Sequence, residues 1–192
     1  MNLDIITEMV KKRLSEKRFY HSQCVMERAK ELAEKFGYDV ETAEKVGIAH
    51  DIAKEIPSEE KLKYVEDNNI KIDEIEHENP SLLHAKIGAD IAIKELGFTK
   101  EMAQAIRAHT TGIQNMSLLD KILFIADRTS KEREFEDIDY LNTLLDEDIN
   151  KAVLYIIDKK IVLQIEKKAT MHTDSILARN WIIRNNINEK TE

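Results

Sequence analysis

The chain has 192 residues, a formal charge of −8, 42% hydrophobic and 34% charged residues, and only 5 Gly, 2 Pro and 1 Cys. Such a length carries one domain with its own core, and the apolar fraction excludes an intrinsically disordered chain. The lone Cys24 excludes an internal disulfide and points to a reducing compartment, and the acid excess argues against a generally basic nucleic-acid-binding face.

The opening MNLDIITEMVKKRL places Asp4 and Glu8 where a signal peptide needs an apolar run of about 7–15 residues, so it reads as a helix faced by Ile6, Met9, Val10 and Leu14. No stretch reaches the roughly 18–20 apolar residues of a membrane span, and a cytoplasmic protein is expected. His21 opens a second helix marked by Cys24, Val25, Leu32, Ala33 and Phe36, with Gly37 as its stop. Asp39 caps a third helix, on which His50 extends the Ala43–Val46–Gly47 face by one turn. Leu83, Ile87, Gly88 and Ile91 mark another helix, ended by Gly97. Thr99 caps the next, with Met102, Ala105 and Ile106, and Ser117 with Asp120 forms a capping box opening SLLDKILFIADR.

Residues 129–147 turn acidic and weakly periodic, reading as a loop and a short helix. A long helix over about 148–168 and a last one through SILARNWIIRN follow. The scarcity of Gly and Pro agrees, because helix interiors reject both and turns recruit them. The expectation is an all-α fold: one compact domain over 1–192, with a core at about 18–130 and a C-terminal helical extension at about 138–188.

His77 lies in the polar string IEHENP and reads as a surface turn residue. His21, His50, His84 and His109 instead fall on the inward faces of four helices. A single inward imidazole is ordinarily a hydrogen-bonded core residue. Four of them are harder to satisfy separately, and convergence on a metal ion supplies a partner to each.

Asp51, directly after His50, and Asp127, at the end of ILFIAD, join this set. Taken alone, Asp127 reads equally well as a solvated helix end or as a partner of Arg128 or Arg133. Adjacent helix residues point about 100° apart, so His50 and Asp51 reach one ion only if it sits between their directions. Imidazole and carboxylate together suit iron, manganese or zinc, and the absence of a cysteine cluster excludes a Cys-type zinc site. Cys24 reads as core rather than nucleophile. Glu59, Glu60 and the acids from Glu132 to Asp137 read as solvated faces.

The strings RFYHSQCV, GIAHDIAKEIP, LLHAKIGA, IRAHTTG and LLDKILFIADRTSKER, in this order and running on to HTDSILARNW, resemble the HD-domain phosphohydrolases, and within them the YqeK-like branch of symmetrical dinucleoside tetraphosphatases. The last string reads MHTDS, with threonine where the family has a proline, and no Gly-Tyr-Pro string of the cyclic-dinucleotide phosphodiesterases is present.

The resemblance implies a metal held by His21, His50, Asp51 and Asp127, with His84 and His109 at a second-metal or phosphate position. It implies catalytic roles for Asp51, Lys54, His84 and His109. It further implies substrate contacts from Arg18, His21, Lys54, Glu55, Ile56, Pro57, His84, His109 and Arg133, and from Thr170, Met171, His172, Thr173, Asp174, Ser175 and Asn180.

The implied reaction is attack of a metal-activated water on a central phosphate of diadenosine tetraphosphate, giving two ADP. One or two divalent ions would serve, iron first, with manganese, cobalt or zinc as alternatives. The implied partner is a small nucleotide, dinucleoside tetraphosphate or an ADP- or GDP-like product, with no nucleic acid and no membrane; a homodimer stays open. Two other readings also stay open: a different HD-type nucleotide phosphohydrolase, such as a nucleotidase, and a non-catalytic nucleotide-sensing helical module.

Overall fold

A computed structural model describes residues 1–133 and 136–187. Among these residues the fold is all-α: α1 (Leu3–Lys11), α2 (Glu16–Phe36), α3 (Val40–Ala49), α4 (Ser58–Asp67), α5 (Glu74–Glu78), a 3₁₀ turn (Pro80–Leu82), α6 (Leu83–Leu96), α7 (Lys100–Ala108), α8 (Leu118–Thr129), α9 (Ile138–Glu147), α10 (Ile149–Glu166) and α11 (Thr173–Ile182), which runs into a π turn (Ile183–Ile187). None of the described helices is long and apolar enough to cross a membrane.

Local chemistry sets most of the ends. The side chains of Ser15, Asp39, Thr99 and Ser117 each accept from a backbone N–H of the first turn that would otherwise lack a partner. The Ser117–Asp120 capping box forms as expected. Gly37 (φ 68°) and Gly97 (φ 69°) end α2 and α6 in the left-handed region that glycine enters without a Cβ clash.

The core is continuous. α2 is its spine, packed on α3 and α8; α6 and α7 pair, and α7 leans on α8. α8 carries Leu119, Ile122, Leu123, Phe124, Ile125 and Ala126 with no exposed surface. The α2–α3 crossing is tight at Gly47, where an added Cβ would stand 2.7 Å from Met26 Cα. That close approach brings the end of α3 against α2, and so His50 towards His21. α10 packs on α8, α9 and α11 and carries the C-terminal helices onto the same core.

Several details differ from the expectation. α2 begins five residues before His21, because Ser15 rather than His21 caps it. α3 ends at Ala49, with His50 as its C-cap, and residues 50–55 form turns rather than another helical turn. His77 is exposed as expected but belongs to α5, which an Asp73–Glu76 capping box nucleates. α4 gives a weak apolar pattern because one of its two buried residues is Lys61, whose ammonium donates to the Lys54 carbonyl (3.0 Å). The acidic stretch after Asp127 lies partly outside the described residues, and α9 follows it as a ten-residue helix.

Candidate metal centre

Helix ends, rather than helix faces, build the site. His50 and His109 are the C-caps of α3 and α7, Asp127 lies in the last turn of α8, His84 is the second residue of α6, and His21 sits in the second turn of α2. The C-terminal ends of α3, α7 and α8 therefore converge. Their unsatisfied carbonyls carry partial negative charge, which favours a cation at the meeting point. Asp51 leaves the helix with the turn that follows His50. The pair thus escapes the 100° divergence that a continuing helix would impose.

His21, His50, Asp51, His84, His109 and Asp127 are each less than a tenth exposed. Ring centroids run in a chain, His21–His50 5.2 Å, His50–His109 5.1 Å and His84–His109 5.1 Å, all edge to face. Nδ1 of His50 lies 2.7 Å from the Gly47 carbonyl, that of His84 2.5 Å from Ser81 O, and that of His109 2.6 Å from Ile106 O. A carbonyl only accepts, so each Nδ1 carries the proton and donates. His21 Nδ1 donates in the same way to the Glu132 carboxylate. Hence four imidazoles turn Nε2, the nitrogen left free of an outer partner, towards one interior volume, the arrangement of a ligating histidine held by an outer hydrogen bond.

Between these atoms lie two carboxylates. Asp127 Oδ1 is 3.1 Å from His21 Nε2 and 3.6 Å from His50 Nε2. Asp51 stands centrally. Its Oδ2 is 3.5 Å from His50 Nε2 and 3.9 Å from His21 Nε2, and its Oδ1 is 3.3 Å from His84 Nε2 and 3.6 Å from His109 Nε2. Two overlapping groups follow, His21–His50–Asp127 and His50–Asp51–His109, with ligand atoms within 4.8 Å of one another in each. Buried His50 Nε2 and Asp51 Oδ1 have no hydrogen-bond partner. Orphaned polar atoms cost stability unless something pairs with them, and a divalent cation would pair with both.

The electrostatics agree. Burial alone would push the Asp51 and Asp127 carboxyls up. His50 and His109 around Asp51, and Arg128 with His21 and His50 around Asp127, overcome it and hold both well below the ordinary carboxylate value. Burial lowers His50, but Asp51 and Asp127 win and raise it to about 9. The pocket thus draws positive charge to the point where the ligand atoms meet. Burial keeps His84 and His109 below the usual imidazole value, so they stay neutral.

A ring of cations surrounds the acids. Arg18 Nη1 is 3.1 Å from Asp51 Oδ2, and Arg133 Nη2 is 2.9 Å from Asp127 Oδ1. Arg128 pairs with Asp127 Oδ2, lies 5.7 Å over the Phe124 ring, and reaches the Thr110 carbonyl (3.4 Å). Lys54 Nζ stands 3.1 Å from His84 Nε2 and 3.8 Å from Asp51 Oδ1, while Thr110 Oγ1 lies 3.1 Å from both His84 Nε2 and His109 Nε2. An ammonium and a hydroxyl therefore relieve the repulsion between two lone pairs 3.2 Å apart.

The remaining expected contacts are more dispersed. Glu55 turns its carboxylate to the backbone N–H and hydroxyl of Ser15 (2.6 and 2.7 Å), which ties the turn after Asp51 to the start of α2. Ile56 packs on the core, and Pro57 is the N-cap of α4. Thr170, Met171, His172 and Ser175 line a cavity of about 70 Å³ together with Thr111, and Ser175 Oγ donates to the Thr111 carbonyl (2.8 Å). Thr173 is exposed, whereas Asp174 and Asn180 are half-buried on α11.

Three residues were missed by the sequence reading. Glu132, expected on a solvated face, is half-buried against His21, and only its place in an acidic run disguised it. Thr110 directly follows His109. Lys160 continues the buried Ile149–Val153–Ile156 stripe of α10, and a lysine on an apolar stripe was the available signal. Its ammonium donates to the Thr110 carbonyl, and burial, reinforced by Arg128, lowers it to about 7.

The HD domain family matches residues 18–132, a span that contains His21, His50, Asp51, His84, His109 and Asp127. The symmetrical bis(5'-nucleosyl)-tetraphosphatase of Bacillus subtilis is 35% identical over 184 residues, covering 95% of this chain and 98% of that protein. Its namesake in Halalkalibacterium halodurans is 34% identical, with the same coverage of 95% and 98%. A crystal structure from Clostridium acetobutylicum, described as a predicted HD superfamily hydrolase involved in NAD metabolism, superimposes with a TM-score of 0.92 at 37% identity, over 97% of this chain and 99% of that one. A metal-suited His–Asp centre, a match over more than half the chain and relatives alike along nearly their whole length lead to one conclusion: the chain belongs to the HD domain family.

Proposed function

We propose that the chain is a metal-dependent symmetrical bis(5'-nucleosyl)-tetraphosphatase that splits diadenosine tetraphosphate into two ADP. The convergence of four imidazole Nε2 atoms on two buried carboxylates carries the reading, and the full-length likeness to proteins of that name supports the substrate. A nucleotidase would use the same centre and is set aside on the names of the relatives, whereas a non-catalytic module leaves so complete a centre unexplained.

His21, His50, Asp51 and Asp127 would hold one divalent ion. A bound divalent ion screens phosphate charge and lowers the pKa of a neighbouring water towards about 7. Iron is the first choice, and manganese, cobalt or zinc fit the same donors. Lys54 stands beside His84, where a second ion would otherwise sit, so we read a single ion with the ammonium as the second positive charge.

Lys54, Arg18 and Arg133 then face the phosphate chain. Buried, neutral His84 and His109, with Lys54 and Thr110 beside their Nε2 atoms, border the phosphate side of the centre and would orient the attacking water by hydrogen bonding. Glu132 keeps His21 in its ligating tautomer, and Arg128 keeps Asp127 oriented. No serine or cysteine nucleophile is required. A nucleotide substrate and a single free cysteine support a cytoplasmic setting for such an enzyme.

Purified protein loaded with iron, manganese or cobalt and incubated with diadenosine tetraphosphate tests the proposal by chromatography of the products. Two ADP are expected. ATP plus AMP would overturn the symmetric cleavage, and no cleavage with any of these ions would overturn the enzyme. A large preference for mononucleotides would favour the nucleotidase.

A further inference from the structure

A symmetrical dinucleotide has two identical halves, and a centre that cuts between them needs room on both sides of the phosphates. The cavity at Thr170–Ser175 is one flank. Beside Lys160 opens a larger cleft of about 830 Å³ lined by α10 together with Arg128 of α8 and by Glu136 and Asp137. Ligand pockets for small molecules run to roughly 300–1,000 Å³, so a nucleoside fits there. Lys160 and Gln164 line both spaces and form the divide between them.

The cleft is graded in chemistry. Its inner end holds Arg128 and Lys160, which both reach the carbonyl of Thr110, the residue following His109. Its outer wall is apolar: Tyr155, Val162 at 52% exposure and Leu163 at 43%. The Tyr155 ring is fixed by its hydroxyl donating to Asp137 (2.8 Å) and by an edge-to-face contact with Tyr140 (5.0 Å). Of the four acids lining the cleft, Asp137 pairs with Lys159 and Asp158 with Arg179, and Glu136 and Glu166 are exposed. Lys160 has only the Thr110 carbonyl as a hydrogen-bond partner among the described residues, with Arg128 close by. A half-buried ammonium beside another cation and without a carboxylate partner is a place for an anion.

We propose that this cleft binds the second nucleoside diphosphate of the dinucleotide, with the Lys160 ammonium as its phosphate contact and the Tyr155–Leu163 wall against its base. The proposal rests on the dinucleotide reading above, and the test separates the two. ADP is titrated calorimetrically into manganese-loaded wild type, Lys160→Ala, Lys160→Arg and Leu163→Glu, and turnover of diadenosine tetraphosphate is measured on the same samples. Metal content and far-ultraviolet circular dichroism verify the fold. Leu163 is exposed, so its variant keeps the test sound if Lys160→Ala fails to fold.

Wild type should bind two ADP per chain, and Lys160→Ala and Leu163→Glu one. Their KM for the dinucleotide should rise about tenfold with kcat less affected, and Lys160→Arg should restore most of the difference. Two ADP in every variant with an unchanged KM would overturn the proposal while leaving the dinucleotide activity standing. A single ADP in wild type, unaffected by the substitutions, would overturn it equally. No ADP binding and no cleavage by wild type would bring down the functional reading first, and this inference with it.

Discussion

Two histidine–carboxylate clusters in this molecule look alike by distance and differ in chemistry. One is the centre at the ends of α3, α7 and α8. The other joins α5 to the start of α11: Asp73, Glu76 and His172 also bring ligand atoms within 4.8 Å of one another. The hydrogen bond on the far side of the ring separates them. In the centre every Nδ1 donates to an outer acceptor, so Nε2 is the nitrogen left to ligate, and an ion need displace at most one proton from any ring. His172 is reversed: its Nδ1 accepts from the Asp174 backbone N–H (3.1 Å) as the N-cap of α11. Its Nε2 therefore bears the proton and faces Asp73 Oδ2 at 3.1 Å.

A metal at that Nε2 would need an imidazole stripped of both protons. Lys86 Nζ, 2.6 Å from Glu76 Oε2, already supplies a cation there. The first cluster is fitted to hold an ion, whereas the second is a latch between two helices. Ligand distance alone does not distinguish them; the tautomer does.

Substitutions can break or sharpen this contrast. The largest effect is expected from Asp51→Ala, which removes the carboxylate shared by both halves of the centre. Turnover should fall by about 10²–10³-fold or more and retained metal should be lost in elemental analysis, with helicity kept. Unchanged turnover would refute the metal mechanism. Glu132→Ala comes next. It frees His21 Nδ1, and metal affinity measured by chelator competition should drop by about 10–100-fold. An unaltered affinity would return Glu132 to the solvated face first expected for it.

His172→Ala should leave metal content untouched and cost about 1–2 kcal/mol of stability in denaturant unfolding, through the lost cap and latch. Loss of a metal equivalent would show that the second cluster binds an ion after all.

The smallest effect is in pH dependence. The Glu76 carboxylate, 3.8 Å from Nε2, with Asp174 and Asp73, raises the His172 pKa against burial. Stability from a raised group is complete below its unfolded value of 6.5 and is lost as pH rises through the folded one. Burial opposes ionisation of Glu76, but His172, Lys86 and the Asp73 N–H overcome it and lower the acid from 4.5 to about 2. Its contribution is present above 4.5 and lost as pH falls towards 2. The Tm difference between wild type and His172→Ala should therefore peak between these limits and shrink on both sides. A flat difference would leave only the cap.

Much of the centre was legible because its residues break patterns. Four histidines and Asp127 sit where apolar periodicity calls for aliphatic side chains, and burial demands that each find a partner. Glu132 was not legible, since an acid in the run KEREFEDID gives no sign of which member turns inward. α4 stayed hidden for the related reason that a lysine fills a buried position on it. His172 carried the opposite ambiguity: the sequence marks it as notable, but its tautomer depends on the Asp174 N–H, which only the turn into α11 supplies.

By itself the sequence determined the all-α class, most helix ends and the roster of ligand-type residues, because periodicity, capping and composition act over a few residues. The tertiary structure alone decided that α3 and α7 stop at His50 and His109, so that helix ends meet at one point. It also decided that Asp51 faces both halves of the centre, that Lys54 stands beside His84, and that Lys160 lines two cavities. Those facts depend on where distant helices cross, as at Gly47 against Met26, and no local pattern encodes a crossing.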